Sequence, residues 1–184
     1  MAIDAFLWFD IDEADPVRPI KGETQDEQYG KPEIKAIEVT SFSFGIENST
    51  TIGSTSGGAG SGKAVLGKFT IEKLTDNCTP DFFIACGTGG HYKKAHLILR
   101  KAGGTTGTVT TRVPFIEYHF SLVFVTKMDW KGAKDDEAPS ETIEFAYGAL
   151  KINYQAQDRN GKPTGSPKTA IWNQVNNNQK DEVT

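Results

Sequence analysis

Apolar and polar residues alternate with a period of two along most of this chain, and such alternation is typical of β-strands. The first alternating segment, residues 3–11, places Leu7 on one face and Phe6 and Trp8 on the other. A strand with one solvated face carries polar residues there, so large apolar side chains on both faces indicate that both are covered. Both faces of this segment are therefore predicted to be covered, and because one small domain cannot easily cover both, an oligomer is expected.

Further strand patterning and a single helix signal define the predicted fold class. The other strands are predicted at residues 34–47, 65–74, 95–101, 108–130 with a break near Pro114, 141–155 and 169–175. A helix of about two turns is predicted to have Thr79 as its cap and Pro80 in its first turn, and to end at Gly87. One helix cannot supply the crossovers of a parallel sheet. The chain is therefore predicted to be mainly β, a small antiparallel β-barrel or two-sheet sandwich with one short α-helix.

Residues 48–63 differ from the strands because they are almost entirely Ser, Thr and Gly. A segment with so few apolar atoms buries too little surface to offset the entropy cost of ordering it. It is also too long for a simple hairpin turn, where connections usually run about two to five residues. The segment is predicted to be a long, extended and mobile loop that serves a partner.

Length and composition limit the class of protein. The 184 residues fit one domain spanning 1–184, in which the polar, non-periodic residues 176–184 are expected to form a flexible tail. Apolar residues make up 37% and charged residues 24%, so a core can be buried. The net charge is −4 and no basic cluster exceeds the pair Lys93-Lys94, which argues against nucleic acid as a partner.

Membrane insertion and signal-directed export are not expected. No run approaches the roughly 18 apolar residues that span a bilayer, and the N-terminal MAID lacks the basic region of a secretory signal. Synthesis in the cytoplasm is therefore expected. Cys78 and Cys86 are predicted to be free and buried thiols, because a helix would hold them about 12 Å apart whereas a disulfide needs Cα atoms within about 7 Å.

A Gly-rich stretch resembles a phosphate-binding loop. Residues 57–63, GGAGSGK, satisfy G-x-x-x-x-G-K, but Ala64 stands where a hydroxyl would hold magnesium. The strand patterning from Val65 onward leaves no helix to direct its amide groups at a phosphate. Nucleotide binding is therefore not expected.

No other motif predicts catalysis or a metal site. His91, His96 and His119 could be imagined as zinc ligands, but they fall on a turn and on two different strands. No Gly-x-Ser-x-Gly elbow and no paired Cys or His at metal-ligand spacing occurs, and the acidic residues 135–137 are typical of a solvated turn. No catalytic residue, cofactor or metal is expected.

Two adjacent stretches carry a resemblance to a known family. They are TPDFFIACG at residues 79–87 and GHYKKAHLILRKAGG at residues 90–104. Supporting segments are the N-terminal MAIDAFL, IKGE at residues 20–23, the Ser/Gly-rich loop, NYQAQ at residues 153–157 and Trp172-Asn173. Over its whole length the chain resembles the haemolysin-coregulated protein (Hcp) family, the tube subunits of bacterial type VI secretion. It departs from that family at residues 12–19, which look like an insertion, and at Phe44-Gly45, where members often carry Trp-Gly.

The resemblance implies an assembly and a set of partners. It implies a β-barrel-like subunit that forms hexameric rings, stacks into a hollow tube related to phage tail tubes, and is ejected by a contractile sheath without a cleavable signal peptide. The implied partners are further copies of the chain, the sheath and tip proteins of the secretion apparatus, and effector proteins carried in the lumen. The chain is thus expected to be a secreted structural subunit and not an enzyme.

The resemblance also gives the long loop a role, since an extended loop near this position in the family reaches the adjacent ring. The ring-stacking residues expected here are Thr50, Thr51, Ile52, Gly53 and Ser54. Thr51 and Ile52 offer the most contact surface among them.

Two other classes stay open on the residues alone. Trp8, Trp130 and Trp172 could line the sugar site of a monomeric carbohydrate- or ligand-binding β-sandwich, although Trp in strands more often packs in a core. A small β hydrolase is disfavoured because no motif supports it. The mass in solution separates a ring from both.

The Gly-rich stretch generates one test. We expect a flat calorimetric titration with ATP and magnesium, because Ala64 cannot ligate the ion and no helix N-terminus follows. The variant Lys63→Ala should give the same flat titration. Saturable binding that Lys63→Ala abolishes would contradict this expectation.

Overall fold

Ten strands and one helix make up the regular structure of the residues that are described. The computed structural model describes residues 3–11, 17–51, 60–101, 113–159 and 161–183. The strands are β1 Ile3–Ile11, β2 Ile37–Glu38, β3 Ser41–Ser43, β4 Ile46–Thr51, β5 Gly60–Leu66, β6 Phe69–Leu74, β7 His91–Lys101, β8 Ile116–Lys131, β9 Ser140–Tyr154 and β10 Lys168–Asn173, and the helix is α1 Thr79–Thr88. The predicted mainly β class with one short helix is confirmed.

One eight-stranded antiparallel sheet contains every strand except β4 and β5. Its order is β2-β1-β7-β8-β9-β6-β3, and β10 also pairs with β9. The long strands β8 and β9 pair from Ile116 opposite Tyr154 to Lys131 opposite Ser140. β6 pairs with the first half of β9 and β10 with its second half. In the described ranges the terminal strands β2 and β3 do not pair, so the sheet is sandwich-like and not a closed barrel.

The main core lies against one face of this sheet. Alternate residues of β1, β7 and β8 are buried in it, among them Leu7, Leu97 and Phe120. Phe120 stacks on Phe69 of β6 with ring centroids 4.2 Å apart, and Phe82 of α1 joins the same cluster. Stacked aromatic pairs contribute stability beyond the area that they bury, so this cluster fixes how the sheet folds over itself.

The opposite face of β1 and β7 is covered by the segment between β1 and β2. Phe6 and Ile98 form a second buried cluster with Tyr29 and Ala36, and Trp8 packs beside it. The prediction that both faces of the first strand are covered is confirmed. The expectation that a second copy is needed to cover one of them is wrong for β1, because residues 17–36 of the same chain do so.

An ion cluster fixes this covering segment to the sheet. Arg100 on β7 donates to Asp26 and, at 3.2 Å, to Asp4, while its guanidinium lies 4.7 Å from the Phe6 ring centroid. Burial pushes the pKa of Asp26 upward, but hydrogen bonds from Arg100 and from backbone N–H groups outweigh burial and lower it. The cluster therefore favours the charged carboxylate and the closed position of the segment.

The single strand predicted at residues 34–47 is wrong, because the chain changes partner there. The backbone N–H of Val39 still donates to Ala5 on β1, whereas the next N–H, that of Thr40, donates to Glu72 on β6. One straight strand cannot serve both neighbours, so β2, β3 and the start of β4 replace it. Likewise the strand predicted at residues 65–74 is interrupted between β5 and β6.

The helix has different caps from those predicted. The residue at its N-cap is Cys78 with no side-chain cap bond, and the helix runs past Gly87 to a left-handed Gly89 at its C-terminus. Thr79 instead donates its hydroxyl to Glu141 Oε1 at 2.6 Å. Local sequence signals predicted the position of the helix. They did not predict that Thr79 would bond to the distant strand β9 and leave the N-cap position to Cys78.

Both cysteines are free, as predicted, but the prediction that both are buried is wrong for Cys86. Cys78 is buried and its thiol donates to Asp76 Oδ1 at 2.8 Å, while Cys86 is partly exposed. Burial raises the pKa of the Cys78 thiol, which keeps it protonated and unreactive.

The segment beyond β10, expected to be a flexible tail, makes contacts with the sheet. Asn173 Nδ2 donates to the carbonyl oxygen of Glu182 at 2.8 Å, and Lys94 lies 3.4 Å from Asp181. Val183 packs so closely on Gly148 of β9 that a Cβ at position 148 would lie 3.1 Å from Val183 Cγ2. Mobility of this tail in solution stays a prediction.

A buried ion pair joins the helix to three strands. Lys73 of β6 donates to Glu141 of β9 at 3.1 Å and to Asp76 at 2.8 Å. Glu141 also accepts hydrogen bonds from Thr79 at the start of α1 and from Trp130 Nε1 of β8. Burial disfavours the charge on Lys73, but the acidic groups around it outweigh burial and raise its pKa.

We expect Glu141→Gln to lower the free energy of unfolding by about 3 kcal/mol, because it removes the fully buried carboxylate that faces Lys73 and leaves only the partly exposed Asp76 to balance the ammonium. The control Glu144→Gln removes a partly exposed pair with Lys68, and should cost no more than about 1 kcal/mol. Urea unfolding at one fixed protein concentration measures both. Equal losses in the two variants would contradict the importance of the buried pair.

Candidate functional site

The segment predicted as a long loop is in part a hairpin. β4 and β5 pair with each other, and at the outer end Thr50 lies opposite Ser61 and Thr51 opposite Gly60. The prediction of a loop over residues 48–63 is therefore wrong at both ends, since a backbone ladder does not need apolar side chains. Of the predicted stacking residues, Ile52, Gly53 and Ser54 lie outside the described residues.

The hairpin is attached at its base and exposes apolar side chains. Gln174 accepts a hydrogen bond from the backbone N–H of Leu66 at 3.1 Å, and Gly67 donates to the Gly45 carbonyl at 2.8 Å. Ile46 is 56% exposed and Val65 is 59% exposed. These two side chains lie on opposite faces, because Ile46 pairs with Leu66 and Val65 with Glu47. Each face of the hairpin therefore offers an apolar contact.

A second exposed apolar surface lies beside the helix. Its members, called the helix patch below, are Phe83 and Ile84 of α1 and Trp130 of β8. Phe83 is 59% exposed and Trp130 48% exposed, and their ring centroids are 6.3 Å apart. The sequence FFIA signals this patch, because a helix buries only part of such a run, here Phe82 and Ala85.

A line of polar side chains crosses the covered face of the sheet. This polar belt consists of one residue from each of β1, β7, β8, β9 and β10, namely Asp10, His96, His119, Asn153 and Thr169. The distances along it are 2.9 Å from Asp10 Oδ2 to His96 Nε2, 2.7 Å between the two Nδ1 atoms, 3.3 Å from His119 Nε2 to Asn153 Nδ2, and 2.9 Å from Asn153 Oδ1 to Thr169 Oγ1. The belt links five neighbouring strands through side chains alone.

Two carboxylates flank the histidines of the belt. The hydrogen bond with His96 lowers the pKa of Asp10, and the contact with His119 lowers the pKa of Glu117. Glu117 Oε2 lies 3.4 Å from both His119 Nε2 and Asn153 Nδ2. The belt is therefore bordered by negative charge on both sides.

The structure brings two of the three histidines together, which sequence reasoning missed. His96 and His119 are opposite each other in the register of β7 and β8, whereas His91 packs on Phe124 with centroids 5.3 Å apart. Register between strands that are distant in the chain decides this pairing. Within the described ranges, no group of three or more His, Cys, Asp or Glu side chains could hold a metal ion.

The remaining sequence candidates are dispersed. Lys63, the last residue of the Gly-rich motif, lies within β5, and the next element along the chain is β6. Trp8 packs in the second cluster, Trp172 against the main core, and Trp130 is exposed in the helix patch. The three indoles therefore do not line one sugar site. The acidic residues 135–137 are exposed, as expected of a solvated turn.

The arginine that lines a surface cleft is already paired with two of the carboxylates in the same lining. A cleft of about 350 Å³ is lined by Arg100, Asp4 and Asp26 among others, and the guanidinium there is bonded to both carboxylates. Glu38, a third carboxylate in the lining, accepts a hydrogen bond from Thr24, so the cleft carries more negative than positive charge. Among the helical residues described, none forms a helix long and apolar enough to cross a bilayer.

Comparison with known proteins gives consistent matches. The family model "Type VI secretion system effector, Hcp" matches residues 6–154. Protein Hcp1 of Pseudomonas aeruginosa is 29% identical over 101 residues, which cover 55% of this chain and 59% of that protein. The match thus spans less than two thirds of the length of this relative.

Two solved structures resemble the chain over nearly its whole length. One, described as a type six secretion system protein, is 27% identical with a TM-score of 0.81, and the likeness covers 97% of this chain and 100% of the other. Hcp1 from Salmonella typhimurium is 26% identical with a TM-score of 0.71, with 98% of this chain and 100% of the other covered. Since the family model covers most of the residues and both folds agree, the chain belongs to the Hcp family of type VI secretion proteins.

Proposed function

We propose that the chain is the subunit of a type VI secretion inner tube and assembles into hexameric rings that stack into a hollow tube. The likeness in fold to a solved type six secretion protein over almost the whole chain carries this proposal. The tube is ejected by a contractile sheath, and synthesis in the cytoplasm precedes secretion without a cleavable signal peptide.

The partners in this proposal are copies of the chain, the sheath and tip proteins, and effectors in the lumen. A closed ring needs a heterologous contact, in which one surface of the subunit meets a different surface of the next. The helix patch supports one such surface, because Phe83 and Trp130 form an exposed aromatic pair, and aromatic residues are enriched where protein interfaces are buried.

The hairpin supports a second, separate contact between rings. It pairs with no other described strand of its own chain, and Ile46 and Val65 leave both of its faces apolar. Thr50 and Thr51 form the last described pairs at its outer end, and we propose that they reach a neighbouring ring together with Ile52, Gly53 and Ser54, which lie outside the described residues. Ordering of such a Ser/Gly-rich tip on contact costs entropy, so stacking is weaker than contact within a ring.

We expect Phe83→Glu to break the ring, because burying a charge in the contact between subunits is costly without a partner. The native protein should elute in multi-angle light scattering as six chains of 20.1 kDa each, and the variant as a smaller species. The ring dissociation constant should rise by about tenfold or more, which corresponds to about 1.4 kcal/mol. Circular dichroism should be unchanged.

The control is Thr164→Glu, which adds the same charge at an exposed position in the connection after β9. It should leave the ring intact. A Phe83→Glu protein that remains a full ring would exclude the helix patch from the contact. A native protein that is a single chain at micromolar concentration would contradict the ring itself and favour a monomeric binding module.

We expect replacement of residues 49–62 by a short Gly-Ser turn to leave ring size unchanged and to abolish tube formation and secretion. The replacement keeps Asn48 paired with Ala64 and removes only the outer hairpin. Light scattering reports the ring and negative-stain electron microscopy the tubes. Tubes formed by the shortened protein would make the hairpin a passive connection, whereas loss of the ring would place it in the contact within a ring.

A further inference from the structure

The contact between His96 and His119 at the centre of the polar belt depends on how many protons the two rings carry. The 2.7 Å between His96 Nδ1 and His119 Nδ1 is a hydrogen-bond distance, which requires one proton between the two nitrogens. With both rings neutral the belt can be complete. Asn153 Nδ2 donates to His119 Nε2, His119 Nδ1 donates to His96 Nδ1, and His96 Nε2 donates to Asp10.

One additional proton can enter without breaking this contact. It binds to His119 Nε2, which then donates to Glu117 Oε2, 3.4 Å away, in place of accepting from Asn153. A second additional proton has only His96 Nδ1 to bind. There it would face the proton on His119 Nδ1 across 2.7 Å, and two N–H donors cannot share that space.

We propose that the His96–His119 pair is an acid-responsive joint of the sheet, which stays closed with at most one additional proton and opens when it takes up a second. This inference does not depend on whether the chain forms rings. The joint is within reach of solvent protons, because the side chains of His96 and His119 are 15% and 18% exposed.

The surroundings favour the first proton and do not provide for the second. Once His119 Nε2 is protonated, the shared proton can move to His96 Nδ1, so that His96 carries the positive charge. Trp8 of β1 stacks on His96 with centroids 5.0 Å apart and favours that charge, and Asp10 and Glu117 supply negative charge. Further charged or titratable groups lie next to these carboxylates and strands. Lys93 and Lys94 act on Asp10, Glu117 acts on Tyr29, Lys151 is opposite His119 in the register of β8 and β9, and Asp181 pairs with Lys94.

A metal ion does not account for the contact. Two imidazole nitrogens bound to one tetrahedral zinc ion at about 2.0–2.1 Å each lie roughly 3.3 Å apart, which exceeds the 2.7 Å seen here. The carboxylates contact the Nε2 atoms and so do not point at a shared ion. The geometry is that of a proton held between two rings.

Opening of the joint would loosen a defined part of the sheet. His96 and His119 face each other across β7 and β8, and Asn153 carries the belt on to Thr169 of the edge strand β10. Rotation of either ring away from the other therefore breaks the side-chain link between the two halves of this face. The backbone ladders remain, so the change is a local loosening and not unfolding.

Nuclear magnetic resonance of the ¹⁵N-labelled imidazoles tests the joint directly, with His91→Gln used to assign the third ring. The pair should take up its two protons in separate steps, the second requiring a proton concentration about tenfold or more above that which protonates His96 in His119→Gln. The signal of the proton between the Nδ1 atoms should disappear with the second step.

Thermal unfolding provides the second measurement. An unfolded chain binds both protons freely, so acidification favours the unfolded state wherever the folded pair refuses one. Between about pH 7 and 5, above the range where free carboxylates titrate, the melting temperature should fall more in the native protein than in His96→Gln/His119→Gln. If the double variant does not fold, the resonance experiment decides alone.

Three results would overturn the proposal. Both rings could titrate together, at the same proton concentration as His96 in the single variant. The shared-proton signal could survive the whole titration. A titration that changes when a chelator is added would assign the contact to a metal ion.

Discussion

The need to cover both faces of the central strands governs this structure. Leu7 and Leu97 are buried in a core on one side of β1 and β7, and Phe6 and Ile98 are buried in a second core on the other side. The first core forms when the sheet folds over itself and α1 closes its end. The second forms because residues 17–36 return across β1 and are fixed by Arg100, whose charge is matched by two aspartates in a partly buried place.

The strands and the helix were predictable because their signals are local. Period-two alternation and a Pro-containing helix start are read within about ten residues. The break at Val39 and Thr40 was not predictable in this way, since it follows from a change of partner between β1 and β6. The outer hairpin escaped prediction because backbone hydrogen bonds formed the ladder where side chains gave no apolar signal.

The polar groups of the structure show the same limit. Lys73 and Glu141 are 68 residues apart in the chain, and His96 and His119 are 23 apart. Each pair exists only through the register of neighbouring strands, which period-two patterning does not fix between distant segments. The expectation of ring-stacking residues rests on the family resemblance. The structure adds the paired ends of the hairpin and the helix patch, and the resemblance singled out neither of them.

The lengths of β8 and β9 determine how the molecule can come apart. The two strands pair over their whole length, and they belong at one end to the layer with β6 and at the other to the layer with β1, β7 and β10. Neither layer can detach without separating part of this common ladder. Side chains add to it, since Lys73 of β6 bonds to Glu141 of β9 and His119 of β8 contacts Asn153 of β9. The two layers are therefore expected to behave as one cooperative unit, in which slow hydrogen exchange extends along both strands and partly unfolded molecules are rare.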